Sequence, residues 1–255
     1  MIIASLLTAG SLLLQPEEAE NPAGRVEVFE GVIVDYDARS VEVAGFMPVD
    51  VSHEETPDVW IELIAEAHGV RDFEALISLD TEARNVHAAL LMLGLEPGSP
   101  GRIDVDHSKE DSPLTRVDPT GPELSVRIRY EKDGTMVTED PTTWVHDPET
   151  GQVFSELNPR FYFGGSSFRT FEGEEWYMAR VEGTVVGLCT FGTIDGGAEI
   201  VGCTPVLSPH MDMGDPVWYT INELVPAYGT EMTLVLTVVK EDSGEGVDVS
   251  EKREE

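Results

Sequence analysis

The sequence predicts an α+β protein: mostly antiparallel sheet, one main buried helix at about residues 82–93, and few other helices. Three observations carry this. Alternation of apolar and polar residues recurs along most of the chain, as at Leu124, Val126, Ile128 and Tyr130. Gly- and Asp-containing turn signals separate these runs, as at Asp133-Gly134. One stretch carries helical spacing, with Val86, Ala89, Leu90 and Leu93 at i, i+3, i+4 and i+7.

The elements follow in order. Val26 and Val28, Val32 to Val34, and Val41 and Val43 mark short strands, with a polar turn at 35–40. Val59 to Ala65 is largely apolar and reads as a central strand. Ala75 to Leu79 is a strand leading into the helix. Asp80 is the expected N-cap, Gly94 the C′ residue, and Pro97 and Pro100 stop the helix. Leu91 and Met92 widen the apolar face, so the helix is expected to be deeply buried. Residues 102–122 are polar and aperiodic, a long excursion that could join two β-rich halves. Strands are expected again near 124–130, 135–138, 161–163 and 232–239, and a hairpin turning at Glu182-Gly183.

Of 255 residues, 49 are acidic and 16 basic, a formal net charge of -33. Such a field repels nucleic acid and anionic membrane surfaces, so neither is expected as a partner. The chain opens with an apolar run, Ile2 to Leu14, followed by polar residues 15–24. The run is too short to span a membrane and suits a signal peptide, with residues 1–20 read as signal peptide and linker, so an exported, periplasmic or extracellular protein is expected. The globular region is expected over residues 25–240. Residues 241–255 read as an acidic disordered tail.

The phrase His87 to Gly98 (HAALLMLGLEPG) resembles the YdjY-domain family of exported bacterial proteins. So do Phe163 to Phe168 (FGGSSF), Tyr177-Met178-Ala179 followed by Gly183 to Val186, and Asn222, Pro226 and Gly229-Thr230. Phe73 and Arg180 depart from that family's usual His and Asp. The resemblance implies no reaction.

Several residues are candidates for chemistry. His87 is a candidate general base or ligand oriented by Glu74, against a plain core histidine. A strand rises about 3.3 Å per residue and a helix about 1.5 Å, which puts Glu74 level with the helix end rather than with His87. Ser166 in Gly164-Gly165-Ser166-Ser167 invites a nucleophile reading, but the strand-turn-helix context is missing. Asp104 and Asp106 offer alternate oxygen ligands for a divalent cation such as calcium. Lys109 and Thr115 stand where an EF-hand needs Gly and Glu. His210, Asp212 and Asp215 form a second weak metal cluster. No dinucleotide fingerprint or P-loop occurs, and two cysteines are too few for an iron–sulfur or Cys-rich zinc centre. Cys189 and Cys203 could form a disulfide in an oxidising compartment.

The leading expectation is therefore a non-catalytic binding or accessory module outside the cytoplasm, with no cofactor and a protein or small-molecule partner. A hydrolase using Ser166, His87 or Glu74 and a divalent-cation-binding protein are the alternatives.

Overall fold

The computed structural model describes residues 23–52, 57–105, 108, 114–189, 204–210 and 218–240. The valine-rich start forms β1 (Arg25–Phe29), β2 (Val32–Asp35) and β3 (Ser40–Phe46). The apolar run after it splits into β4 (Trp60–Ile61) and β5 (Leu63–Ala67). β6 (Ala75–Leu79) leads into α1 (Ala83–Met92). The stretch read as an irregular excursion holds a hairpin, β7 (Arg102–Val105) with β8 (Leu114–Val117). β9 (Glu123–Lys132) and β10 (Thr135–Glu139) turn at Asp133-Gly134, both at positive φ as a type I′ turn requires.

Next come β11 (Val145–His146), β12 (Arg160–Phe163), β13 (Phe168–Phe171) and β14 (Glu174–Tyr177). The chain then forms α2 (Met178–Glu182) and β15 (Thr184–Gly187). β16 (Leu207–His210), β17 (Trp218–Thr220) and β18 (Glu231–Val238) complete the described elements. Glu182-Gly183 is not the expected hairpin turn. It is the left-handed exit of α2, and the hairpin lies one element earlier, turning at Glu172-Gly173 between β13 and β14.

Eleven strands share one sheet, in the order β1-β2-β3-β18-β9-β12-β16-β15-β5-β6, with β10 on the side of β9. β6 also pairs with β3, at Gly45↔Leu79 and Phe46↔Ser78. The strands from β3 round to β6 therefore close into a ring. The pairings are antiparallel except β5–β6 and β15–β16. Strands from before and after residues 102–122 form two contiguous blocks of the ring, joined where β3 pairs β18 and β5 pairs β15.

This corrects the α+β expectation. The protein is mostly β, with two α-helices of ten and five residues among the described residues. An α+β fold needs helices enough to cover a sheet face. Here the sheet covers itself by closing, and α1 fills in against β2, β3 and β15. The strand pattern is local and readable; the closing pairs join residues distant in sequence.

The core follows from register. Val43, Leu234 and Ile128 stand side by side on β3, β18 and β9, as do Val41, Leu236 and Val126. All six are buried, and each contributes roughly 1.5–3 kcal/mol by leaving water. The alternate residues Glu42 and Arg129 face the other side and form an ion pair, joined by Arg25.

α1 starts later than expected. Its N-cap is Glu82, not Asp80, with no side-chain cap bond. Asp80 instead donates its backbone N–H to the Ala44 carbonyl, so the residue meant for capping continues the β3–β6 pairing. Val86, Ala89, Leu90 and Leu93 are buried as the spacing predicts, whereas Leu91 and Met92 are exposed. The helix is amphipathic rather than deeply buried.

Closure requires Gly45. A Cβ there would stand 2.3 Å from the Ser78 carbonyl oxygen and 3.0 Å from the Leu79 Cα. Both are backbone atoms, so β6 would have to move. Gly45→Ala is expected to lower stability by about 1–3 kcal/mol as an overpacking change. An unchanged urea midpoint for this variant would refute the closing contact.

Candidate functional site

α1 has a second face. Arg84, His87, Ala88 and Leu91 recur at helical spacing beside the buried stripe, and they form one wall of a groove of about 600 Å³. The opposite wall is the β13–β14 hairpin with Phe168, Glu174, Glu175, Trp176 and Tyr177. α2 supplies Arg180 and Val181. Four apolar residues here are unusually open for their size: Leu91 is 47% exposed, Phe168 61%, Trp176 43% and Val181 44%.

His87 and Tyr177 lie in the groove wall. The His87 Nδ1 is 2.7 Å from the Tyr177 hydroxyl. The imidazole also stands edge-on to the rings of Phe163 and Tyr177, with centroids 5.0 and 5.5 Å away. Burial lowers the His87 pKa below its usual value, against an upward pull from a hydrogen bond to the Gly165 backbone, so the ring is neutral at pH 7. Burial pushes the Tyr177 phenol far up, so it keeps its proton. The imidazole tautomer sets which of the two groups donates in this bond.

The glycine-serine phrase is what brings the hairpin under the helix. Gly165 has φ +77, and a Cβ on it would come within 2.5 Å of Pro97 and 3.3 Å of the His87 ring. Only a glycine lets this segment pass between the imidazole and the helix exit. The Gly98 amide donates to the Phe163 carbonyl, tying that exit to β12. Ser166 is buried. Its hydroxyl donates to the Thr204 carbonyl and accepts the Ala179 amide at 3.0 Å. That bracket joins β13, α2 and residue 204, and occupies the proton a nucleophile would surrender to a base.

Glu74 sits elsewhere. It and Glu62 both pair with Arg71, beside the start of β6, and Glu74 is not among the groove residues. Burial, and then the neighbouring Glu74 charge, raise the Glu62 pKa, with Arg71 pulling the other way. His210 bonds at 3.2 Å to Asp118, a carboxylate that spacing alone did not suggest. The Asp104 backbone lies in β7; its side chain, and Asp106, Asp212 and Asp215, fall outside the described residues. Cys189 is buried, and its proposed disulfide partner Cys203 also lies outside them.

Sequence reading missed the hairpin wall. The available signal was Glu172-Gly173 between two short aromatic runs, a two-residue turn with both residues at positive φ. Glu182-Gly183 carries the same local chemistry, so sequence alone does not distinguish the hairpin turn from the helix exit.

Two outcomes follow. Ser166→Ala is expected to cost about 1–3 kcal/mol, because it strands a buried amide and a buried carbonyl; a change under a few tenths in a urea titration would contradict the bracket. For Glu62, the raised pKa makes ionisation unfavourable in the fold. That cost is absent below the unfolded value of about 4.3 and complete above the raised folded value. Glu62→Gln should therefore raise the urea midpoint at pH 7, and that gain should be gone by about pH 4. A gain of equal size at both would exclude ionisation as its cause.

Three of the segments that resemble one family in sequence meet at this point: the helix from His87, the turn at Gly164-Gly165, and Tyr177 to Ala179; Gly183 lies against Ala67 and Val70, and Gly229-Thr230 against Met47. No curated protein and no solved structure matches the chain. The family model described as the YdjY domain matches residues 32–237, from β2 to β18. The chain belongs to the YdjY domain family.

Proposed function

We propose that this protein is a non-catalytic binding module working outside the cytoplasm, and that its ligand occupies the groove between α1, α2 and the β13–β14 hairpin. The observation that carries this is the groove itself. It is concave, with a mostly apolar surface, the His87–Tyr177 pair and four charged residues, Arg84, Arg180, Glu174 and Glu175, in its walls, the usual form of a small-molecule site. Solvent-open Leu91, Phe168, Trp176 and Val181 would lose apolar surface to a ligand. The short apolar run Ile2 to Leu14 and the polar residues after it support export.

A binding role fits the groove better than hydrolysis. Ser166 is committed to Thr204 and Ala179, and His87 to Tyr177 and Gly165. Glu74 is committed to Arg71. The acidic field supports partners other than nucleic acid or anionic membranes.

The test is titration with Nile red, a neutral, polarity-sensitive dye. Saturable one-to-one binding is expected, weakened about tenfold or more by Leu91→Glu, which puts a charge into the apolar wall. Met136→Glu, on an exposed apolar residue of β10, should leave it unchanged. Equal affinity of all three proteins, or no saturable binding, would overturn the groove as the site. In the same buffer at physiological salt no binding to duplex DNA is expected; micromolar, salt-sensitive binding would overturn the electrostatic reading.

A further inference from the structure

We propose that the groove takes an extended polypeptide segment of another protein, which adds to β14 as a third strand of the β13–β14 sheet. This rests on the groove being the ligand site and names the class of ligand it takes.

The lining of the groove identifies a strand edge. Side chains alternate between the two faces of a strand, so a groove lying over one face would meet every second residue. This groove meets Glu174, Glu175, Trp176 and Tyr177, the whole of β14. Consecutive residues border it because it runs along the edge of β14, whereas β13 contributes Phe168 alone. Register fixes which backbone groups that edge presents. The Met178 amide donates to the Ser167 carbonyl, and Phe168↔Tyr177 is the next pair. Hydrogen-bonded pairs alternate along an antiparallel ladder, so Arg169↔Trp176 and Phe171↔Glu174 turn their backbone groups towards each other. Glu175 therefore turns its N–H and C=O outward, and Tyr177 its N–H. β13 and β14 pair only with each other among the described residues, and no other backbone group among them takes up these three.

An extended segment is the ligand that completes such an edge. Its own N–H and C=O groups repeat at the spacing of those on β14, so they pair in turn. A two-stranded hairpin is marginally stable alone, and a third strand supports it. The two walls match in length. The four residues of β14 span about 13 Å, and the ten of α1 about 15 Å. Ala88, Leu91, Phe168 and Trp176 offer apolar surface to the segment's side chains. Charge does not choose the ligand, because Arg84 and Arg180 balance Glu174 and Glu175 in the walls. Recognition falls to the backbone and to apolar residues at alternate positions of the segment.

The probe is a fluorescein-labelled hexapeptide of alternating valine and threonine, titrated with the full chain and read by polarisation. Saturable binding is expected, and unlabelled peptide should displace Nile red. The same peptide with its inner amides N-methylated keeps every side chain but lacks the donors, and its affinity should fall about tenfold or more. Glu175→Pro removes the outward N–H of β14, a place where an edge strand tolerates proline, and should weaken the peptide by about as much. An unchanged urea midpoint marks that variant as folded; if it is not, the N-methylated peptide on the unmodified protein decides. Thr170→Pro makes the same change on the far edge, β13, and should leave peptide binding unchanged. Equal affinity of the N-methylated peptide and its parent would overturn the proposal, as would weakening by Thr170→Pro but not by folded Glu175→Pro. Displacement of Nile red by indole but not by the peptide would return the groove to small molecules and overturn it. Dimerisation of the protein alone, abolished by Leu91→Glu, would give the edge to a second copy and overturn it too. In each of these cases saturable Nile red binding to the unmodified protein keeps the groove as a site, whereas its absence removes the site itself.

Discussion

The structure depends on the approach of β3 to β6. Two residue pairs close the sheet, and one of them is built on a glycine whose missing side chain leaves room for the Ser78 carbonyl. Asp80 extends the same contact by donating to Ala44. α1 begins three residues later, so the closure sets where the helix starts and which way its faces point. One face enters the core with Val86 and Leu90; the adjoining one carries His87 and Leu91 into the groove. The seven-residue link from β5 to its parallel neighbour β6 is short for a crossover. It is held by buried Glu66, whose carboxylate accepts amides of residues 69–71 and the Ser78 hydroxyl.

The groove is an assembly of parts distant in sequence. A helix of residues 83–92, a hairpin of residues 168–177 and a one-turn helix after it come together only because the turn at Gly164-Gly165 runs under the exit of α1. Ser166 then fastens that turn to α2 and to Thr204. Residues that look chemical in isolation are thus divided by geometry. Ser166 holds the frame, Glu74 belongs to an arginine-centred pair of carboxylates, and His87 presents Tyr177 to the groove.

Charge is distributed by the same economy. The chain has few basic residues, and several of its arginines sit against carboxylates of the fold: Arg129 and Arg25 on Glu42, Arg71 on Glu62 and Glu74, Arg84 and Arg180 on Glu82. Glu139 is served instead by the Tyr130 hydroxyl, Lys132 and the Trp144 indole N–H. These groups hold the Glu42 and Glu139 pKa values below the ordinary range although burial raises both. With cations used this way, much of the remaining acid is left to set the outward field, which governs what approaches the groove.

The sequence by itself determined the longer alternating strands such as β9 and β18 and their inward residues, because alternation is a property of neighbouring residues and needs no partner to be seen; the short hairpins β7–β8 and β13–β14 carry too little of it. It also determined the buried stripe of α1, its Gly94 exit and the Asp133-Gly134 turn, each written in a few adjacent residues. Family membership was legible for the same reason, since short phrases carry it. Only the tertiary structure decided that the sheet closes, that Asp80 serves the sheet instead of the helix, and that Leu91 lies open rather than buried. It alone placed Tyr177 against His87 across ninety residues of chain. Such pairings are chosen by which distant surfaces fit together once the core is formed. A local pattern limits those choices, but the steric fit at Gly45 and Gly165 and the burial around them select one.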